Sequence, residues 1–111
     1  MLRKATNIKK GSIIFLEHES ITLRNNPLGD PNVRSFPIYL PWQYNSPRSK
    51  HKKFPVLFDL AGFTGSGPGR INWKNFEESL PERLDRLISR NKLTPCIIVF
   101  PDCFTSLGGN Q

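Results

Sequence analysis

The sequence predicts an α/β fold from three observations. Two consecutive β-type segments fill the first forty residues, and a nearly continuous apolar run at 55–60 (PVLFDL) stops in a glycine-rich loop. An amphipathic helix follows, and then a second apolar run at 96–100 (CIIVF). Two short consecutive strands pair most economically as an antiparallel unit. Strand, helix and strand in succession make a β-α-β crossover.

Each element has a local cause. Residues 12–23 are rich in β-branched and aromatic side chains broken by polar ones, the pattern of a half-buried strand. The turn chemistry of Asn25, Asn26, Pro27, Gly29, Asp30 and Pro31 ends it, and a second strand is expected at 34–40, closed by Pro41. The run 55–60 is apolar at almost every position, as in a parallel strand covered on both faces. Ser79 and Glu82 have capping-box spacing, with Pro81 tolerated in the first turn. Leu80, Leu84, Leu87 and Ile88 fall on one helix face, while Arg83, Asp85, Arg86 and Arg90 take the remainder. Asn91 and Pro95 end the helix, and 96–100 reads as the fourth, buried strand.

Composition bounds the function. Apolar residues make up 37% and aromatics 11% of the 111 residues, values of an ordinary globular chain. The formal charge of +7 is localised: Arg3, Lys4, Lys9, Lys10, Arg48, Lys50, Lys52 and Lys53 supply eight of sixteen cations, and the other eight face nine acids. The basicity therefore belongs to an N-terminal arm, 1–10, and to one loop, 46–53. Neither is interleaved with aromatics, so both read as solvated segments and no nucleic-acid partner is expected. The apolar run 13–16 is far shorter than the roughly 7 to 15 residues of a signal peptide's apolar region, and no membrane-spanning run exists. A soluble, cytoplasmic protein is expected. Cys96 and Cys103 are too few for a disulfide framework and read as reduced thiols, and with only His18 and His51 there is no metal-ligand spacing. No cofactor or metal is expected.

The loop after the third strand carries glycines at 62, 65, 67 and 69, which allow main-chain N–H groups to face a bound group closely. Gly69 is followed by Arg70-Ile71 rather than Gly-Lys-Ser/Thr, which excludes a P-loop. Arg70 also stands where a dinucleotide fingerprint needs its third glycine. The plain alternative is a flexible turn between strand and helix.

The order of three segments, 26–31 (NPLGDP), 54–67 (FPVLFDLAGFTGSG) and 101–109 (PDCFTSLGG), resembles the N-terminal half of the esterase branch of the α/β-hydrolases that includes esterase D and S-formylglutathione hydrolase. The resemblance spans about residues 11–111. It implies the N-terminal part of an α/β-hydrolase sheet, with 1–10 as a basic arm and 11–111 as a partial esterase domain that stops before the nucleophile elbow. It further implies that the fourth strand lies between the second and third, leaving the third on an open edge through which the chain would self-associate. By the same resemblance Phe63 supplies the backbone N–H of an oxyanion hole, and Gly62 and Thr64 shape the loop around substrate. Ala61 stands where many hydrolases of this fold have His.

The catalytic triad cannot be placed. Gly-x-Ser-x-Gly, then Asp, then His, should follow the fifth strand, and the glycines that would make Ser66 an elbow serine are replaced by Thr64 and Pro68. Asp102 reads as a loop-fixing residue, and Asp59 as a hydrogen-bonded structural carboxylate. His18 and His51 read as surface residues, and Cys103 has no evident group to activate it. Trp42 and Trp73 flank the loops. The expected activity is that of a serine carboxylic ester hydrolase on a small ester or thioester, with this chain alone inert. The rival is a small non-catalytic basic module that binds an acidic partner or nucleic acid.

Overall fold

In a computed structural model, residues 8–60, 66, 68–72, 76–106 and 109–110 are described. Six strands and one α-helix occur among them: β1 (Ser12–Glu19), β2 (Val33–Leu40), β3 (Val56–Phe58), α1 (Leu80–Ser89), β4 (Ile97–Val99), β5 (Phe104–Thr105) and β6 (Gly109–Asn110). The main sheet has the order β1-β2-β4-β3. β1 and β2 are antiparallel from Ser12 opposite Leu40 to Glu19 opposite Val33, β2 and β4 are antiparallel, and β3 and β4 are parallel. This is the arrangement expected of the fold class. The fourth strand lies between the second and third, and β5 and β6 form a separate small hairpin.

β1 ends at Glu19, earlier than expected, because the chain turns there. Ser20 N–H donates to the Asn32 carbonyl at 2.7 Å, Leu23 N–H donates to Ser20 Oγ at 3.2 Å, and Ile21 is left 78% exposed. Asn26 then organises the turn through its side-chain amide, which donates to the Leu23 and Asp30 carbonyls while its Oδ1 accepts from Leu28 N–H and Asp30 N–H.

Helix α1 has both predicted ends. Glu82 N–H donates to Ser79 Oγ at 3.3 Å and Ser79 N–H donates to Glu82 Oε1 at 3.0 Å, closing the capping box. At the other end Asn91 takes φ 56°, and Asn91 N–H and Lys92 N–H return to the Ile88 and Leu87 carbonyls, a Schellman closure.

The helix buries Leu84 and Ile88 on one face of the sheet, against Tyr39, Cys96, Ile98 and Phe100, with Ile13, Leu80 and Leu93 at the margin. A smaller cluster of Ile38, Leu40 and Val99 lies on the opposite face. The period-two alternation of β2 and β4 sends Tyr39 and Ile98 to the helix side and Ile38, Leu40 and Val99 to the other.

Two expectations need correction. β3 is not covered: Val56, Leu57 and Phe58 are 52%, 56% and 62% exposed, and among the described residues the strand has a hydrogen-bonded neighbour on one side only. Asp85 is not simply part of a solvated helix face. Its Oδ1 accepts from Tyr39 O–H at 2.7 Å and from Gly11 N–H at 2.9 Å, tying α1 to β2 and to the start of β1. Burial and the Asp85 carboxylate together push the Tyr39 hydroxyl well above its ordinary pKa. Gly11 has a steric reason to be glycine, since a Cβ there would overlap the Leu40 carbonyl oxygen.

Candidate functional site

Because β3 and β4 run parallel, their C-terminal ends lie at the same end of the sheet, and both segments singled out by the sequence leave from that end. The first, which carries Gly62, Phe63 and Thr64, lies outside the described residues, as does Trp73. Its flanks are described and both are anchored. On the entry side Asp59 N–H donates to the Val99 carbonyl at 2.9 Å, one residue beyond β3. On the exit side a 3-10 turn, Pro68–Ile71, places Ile71 against the main core. Arg70 Nε donates to Asp59 Oδ2 at 2.8 Å, so an ion pair joins the two flanks across eleven residues. Asp59 is thus the structural carboxylate expected, with its partner identified. Ser66 Oγ accepts from Gly69 N–H at 3.0 Å, a local turn contact.

The second segment follows Phe100, which is fully buried and donates its N–H to the Pro37 carbonyl at 3.1 Å. Asp102 Oδ1 accepts from Phe104 N–H at 3.1 Å and lies 3.5 Å from Arg34 Nη1, the loop-fixing role expected of it. Arg34 also donates to the Phe104 carbonyl at 2.6 Å, and Ser106 N–H donates to Asp30 Oδ1 at 2.9 Å. The turn before β2 and the segment after β4 are therefore fastened together. Arg34 was not singled out in the sequence. The only signal was a lone cation at the start of a strand whose remaining side chains are uncharged.

The ionisable groups do not gather into a reactive centre among the described residues. His18 lies exposed on β1, opposite Arg34, and His51 is exposed in the loop before β3. Cys96 is buried, which raises its thiol pKa and leaves it unreactive, while Cys103 is half-buried. Glu78 is held below the usual carboxylate range by Arg86 Nε at 2.7 Å, with Arg83 adding to the effect, a helix-entry ion pair rather than an acid-base group. No group of three or more His, Cys, Asp or Glu side chains is placed to hold a metal among the described residues. No helix among them is long and apolar enough to cross a membrane.

What this end of the sheet offers among the described residues is a set of anchors for the two segments that leave it. The strand below is fixed by the β4 ladder, the flanks by an ion pair and by core packing, and the neighbouring segment by Arg34.

No protein-family model and no curated protein matches the chain. Solved structures do, ferulic acid esterases among them. One overlays 91% of this chain with a TM-score of 0.69 at 22% identity. Another, the ferulic acid esterase of the anaerobic fungus Anaeromyces mucronatus, overlays 92% with a TM-score of 0.65 at 19% identity. A feruloyl esterase module from Clostridium thermocellum, solved in complex with sinapinate, overlays 97% with a TM-score of 0.64 at 22% identity. The chain spans about a third of the length of these proteins, 35%, 32% and 34% respectively. The likeness is one of fold: four strands and one helix arranged as part of an esterase sheet.

Proposed function

We propose that the chain is the N-terminal part of a carboxylic ester hydrolase that works by serine acyl transfer, of the esterase D and S-formylglutathione hydrolase-like branch, and that it carries the oxyanion loop without the triad. The observation that supports this most is the position of the glycine-rich segment. It follows the C-terminal end of a parallel strand in a sheet that overlays part of a ferulic acid esterase. Attack on an ester carbonyl puts negative charge on the former carbonyl oxygen. A fixed N–H stabilises that charge without reorganising, and loss of one such donor costs about 100- to 1000-fold in rate. The Phe63 N–H takes this role, with Gly62 allowing close approach and Thr64 bordering the acyl group. The substrate is a small ester or thioester, and an arylacyl ester is the form suggested by the solved neighbours.

The nucleophile, acid and base come from chain beyond this sequence, so the 111 residues alone should hydrolyse no ester above the buffer rate. The test is to read the coding sequence past the Gln111 codon. A frame that continues into Gly-x-Ser-x-Gly, then Asp and His, supports the proposal and supplies the triad. A stop codon at that point withdraws it. In the longer protein Phe63→Pro removes the donor itself and should lower kcat by about 100- to 1000-fold; unchanged turnover would exclude Phe63.

A further inference from the structure

At the other end of β3 the basic loop acquires what its sequence lacks. A 3-10 turn, Trp42–Asn45, carries Trp42 and Tyr44, and a second, Pro47–Ser49, reverses the chain. Ser49 N–H donates to the Ser46 carbonyl at 3.0 Å and Lys52 N–H to the Ser49 carbonyl at 2.9 Å, which bring Lys50, Lys52 and Phe54 back alongside Tyr44. The result is an open hollow of about 550 Å³ lined by Tyr44, Phe54, Ser46, Ser49, Lys50 and Lys52. The Tyr44 and Phe54 rings lie 6.2 Å apart at 40°, and Lys52 Nζ sits 5.8 Å from the Phe54 ring. Next to it Lys9, from the basic arm, rests its ammonium 4.2 Å from the Trp42 ring. Two basic segments that looked solvated and free of aromatics are thus interleaved with three aromatic side chains in space.

The charge around this hollow is uncompensated. Between Asp30 and Asp59 the sequence has no Asp or Glu, and of the five cations there only Arg34 has an acidic partner among the described residues, Asp102. Lys50 and Lys52 form no ion pair among the described residues, and Tyr44 is 46% exposed. Two aromatic side chains, two lysines and two serines among the lining residues match a ligand with three parts: a ring, a negative charge and hydroxyls.

We propose that the hollow between Tyr44, Phe54, Lys50 and Lys52 is a binding site for a ring-bearing carboxylate. The ligand ring lies against Tyr44 and Phe54, its carboxylate meets the two ammonium groups, and its hydroxyls reach Ser46 and Ser49. A nucleic acid is the poorer fit. The two rings tilt against each other instead of offering successive parallel platforms, and only two cations line the hollow, short of the stripe that tracks a phosphate backbone. The site does not depend on the ester-hydrolase reading. It lies at the N-terminal end of β3, whereas the glycine-rich segment follows the C-terminal end.

The same carboxylate could be an aryl acid or a uronic-acid sugar. The test titrates the full chain with 4-hydroxybenzoate and with a galacturonic acid trimer, each beside its own methyl ester, following binding by calorimetry. The expected result is that one of the acids binds at least tenfold more tightly than its ester, and whichever does so names the source. A Lys50→Ala/Lys52→Ala double variant should lower that acid to the level of its ester, while Tyr44→Ala should weaken acid and ester together. These side chains are exposed, so an unchanged far-UV circular dichroism spectrum should accompany the loss. Equal affinity for acid and ester, binding of neither acid, or variants that bind as the parent does would each overturn the proposal. So would a single-stranded oligonucleotide that binds more tightly than both acids, with an affinity that falls steeply with salt.

Discussion

β4 and β3 are nearly the same strand by composition, Ile-Ile-Val beside Val-Leu-Phe, and they pair residue for residue in parallel. Their environments are opposite. Ile98 and Val99 are 4% and 8% exposed, whereas Val56, Leu57 and Phe58 are all more than half exposed. β4 has β2 on one side, β3 on the other and α1 over Ile98; among the described residues β3 has β4 alone. An apolar run therefore specifies a strand and its demand for cover, but supply of that cover is decided by position in the sheet.

The comparison is broken most directly by truncating matched partners. Ile98→Ala should cost about 2–5 kcal/mol, because a buried side chain leaves a cavity. Leu57→Ala, opposite it in the ladder, should cost less than about 1 kcal/mol. Urea denaturation of the two variants measures the difference, and similar losses would mean that the β3 face is covered after all.

Next in size are the ties that close the centre of the sheet. Asp85→Asn weakens two charge-assisted hydrogen bonds, from Tyr39 O–H and Gly11 N–H, and should destabilise by about 1.5–3 kcal/mol. Gly11→Ala meets the Leu40 carbonyl and should cost a comparable 1–3 kcal/mol, roughly. No such sensitivity is expected along β3.

The same tie has a pH signature. Tyr39 holds its proton more tightly folded than unfolded, so its contribution is fully present below the unfolded tyrosine pKa, about 10, and is lost as pH rises above it. Stability should be flat in this term through neutral pH and then fall by up to about 1.4 kcal/mol per pH unit above pH 10. Tyr39→Phe should remove that component of the slope, which a pH series of denaturation midpoints would resolve from lysine titration. An unaltered slope in Tyr39→Phe would remove Tyr39 as its source.

Smaller effects sharpen the picture at the periphery. Ser79→Ala opens the capping box of α1 and should cost about 1 kcal/mol by thermal unfolding. Leu57→Lys should change stability least of all yet reduce self-association through the open edge, since a charge on an edge strand discourages pairing with another chain. Sedimentation of the parent and the variant at equal concentration checks this, and identical distributions would place any association elsewhere.

Much of the fold was legible in the sequence because its causes are local. The Ser79 and Glu82 spacing, the leucines of α1 and the alternation of β2 each act over a few residues, and the strands and helix lie where those patterns place them. The end of β1 was not legible, because 20–23 continue the β-type composition while Ser20 and Asn26 turn the backbone. Of the candidate site, its flanks were readable in part: Asp59 and Asp102 have the structural roles their positions suggested. Their partners, Arg70 and Arg34, were not, since eleven and sixty-eight residues separate the pairs.

By itself the sequence determined which segments extend, which coils and where both ends of the helix fall, since capping, side-chain period and turn chemistry are short-range forces. Only the tertiary structure decided that β4 is buried and β3 bare, that Asp85 reaches Tyr39 and Gly11 across 46 and 74 residues, and that lysines of the arm and loop meet Trp42, Tyr44 and Phe54. Burial and charge pairing depend on which distant segments arrive side by side. No local pattern in the chain encodes that arrival.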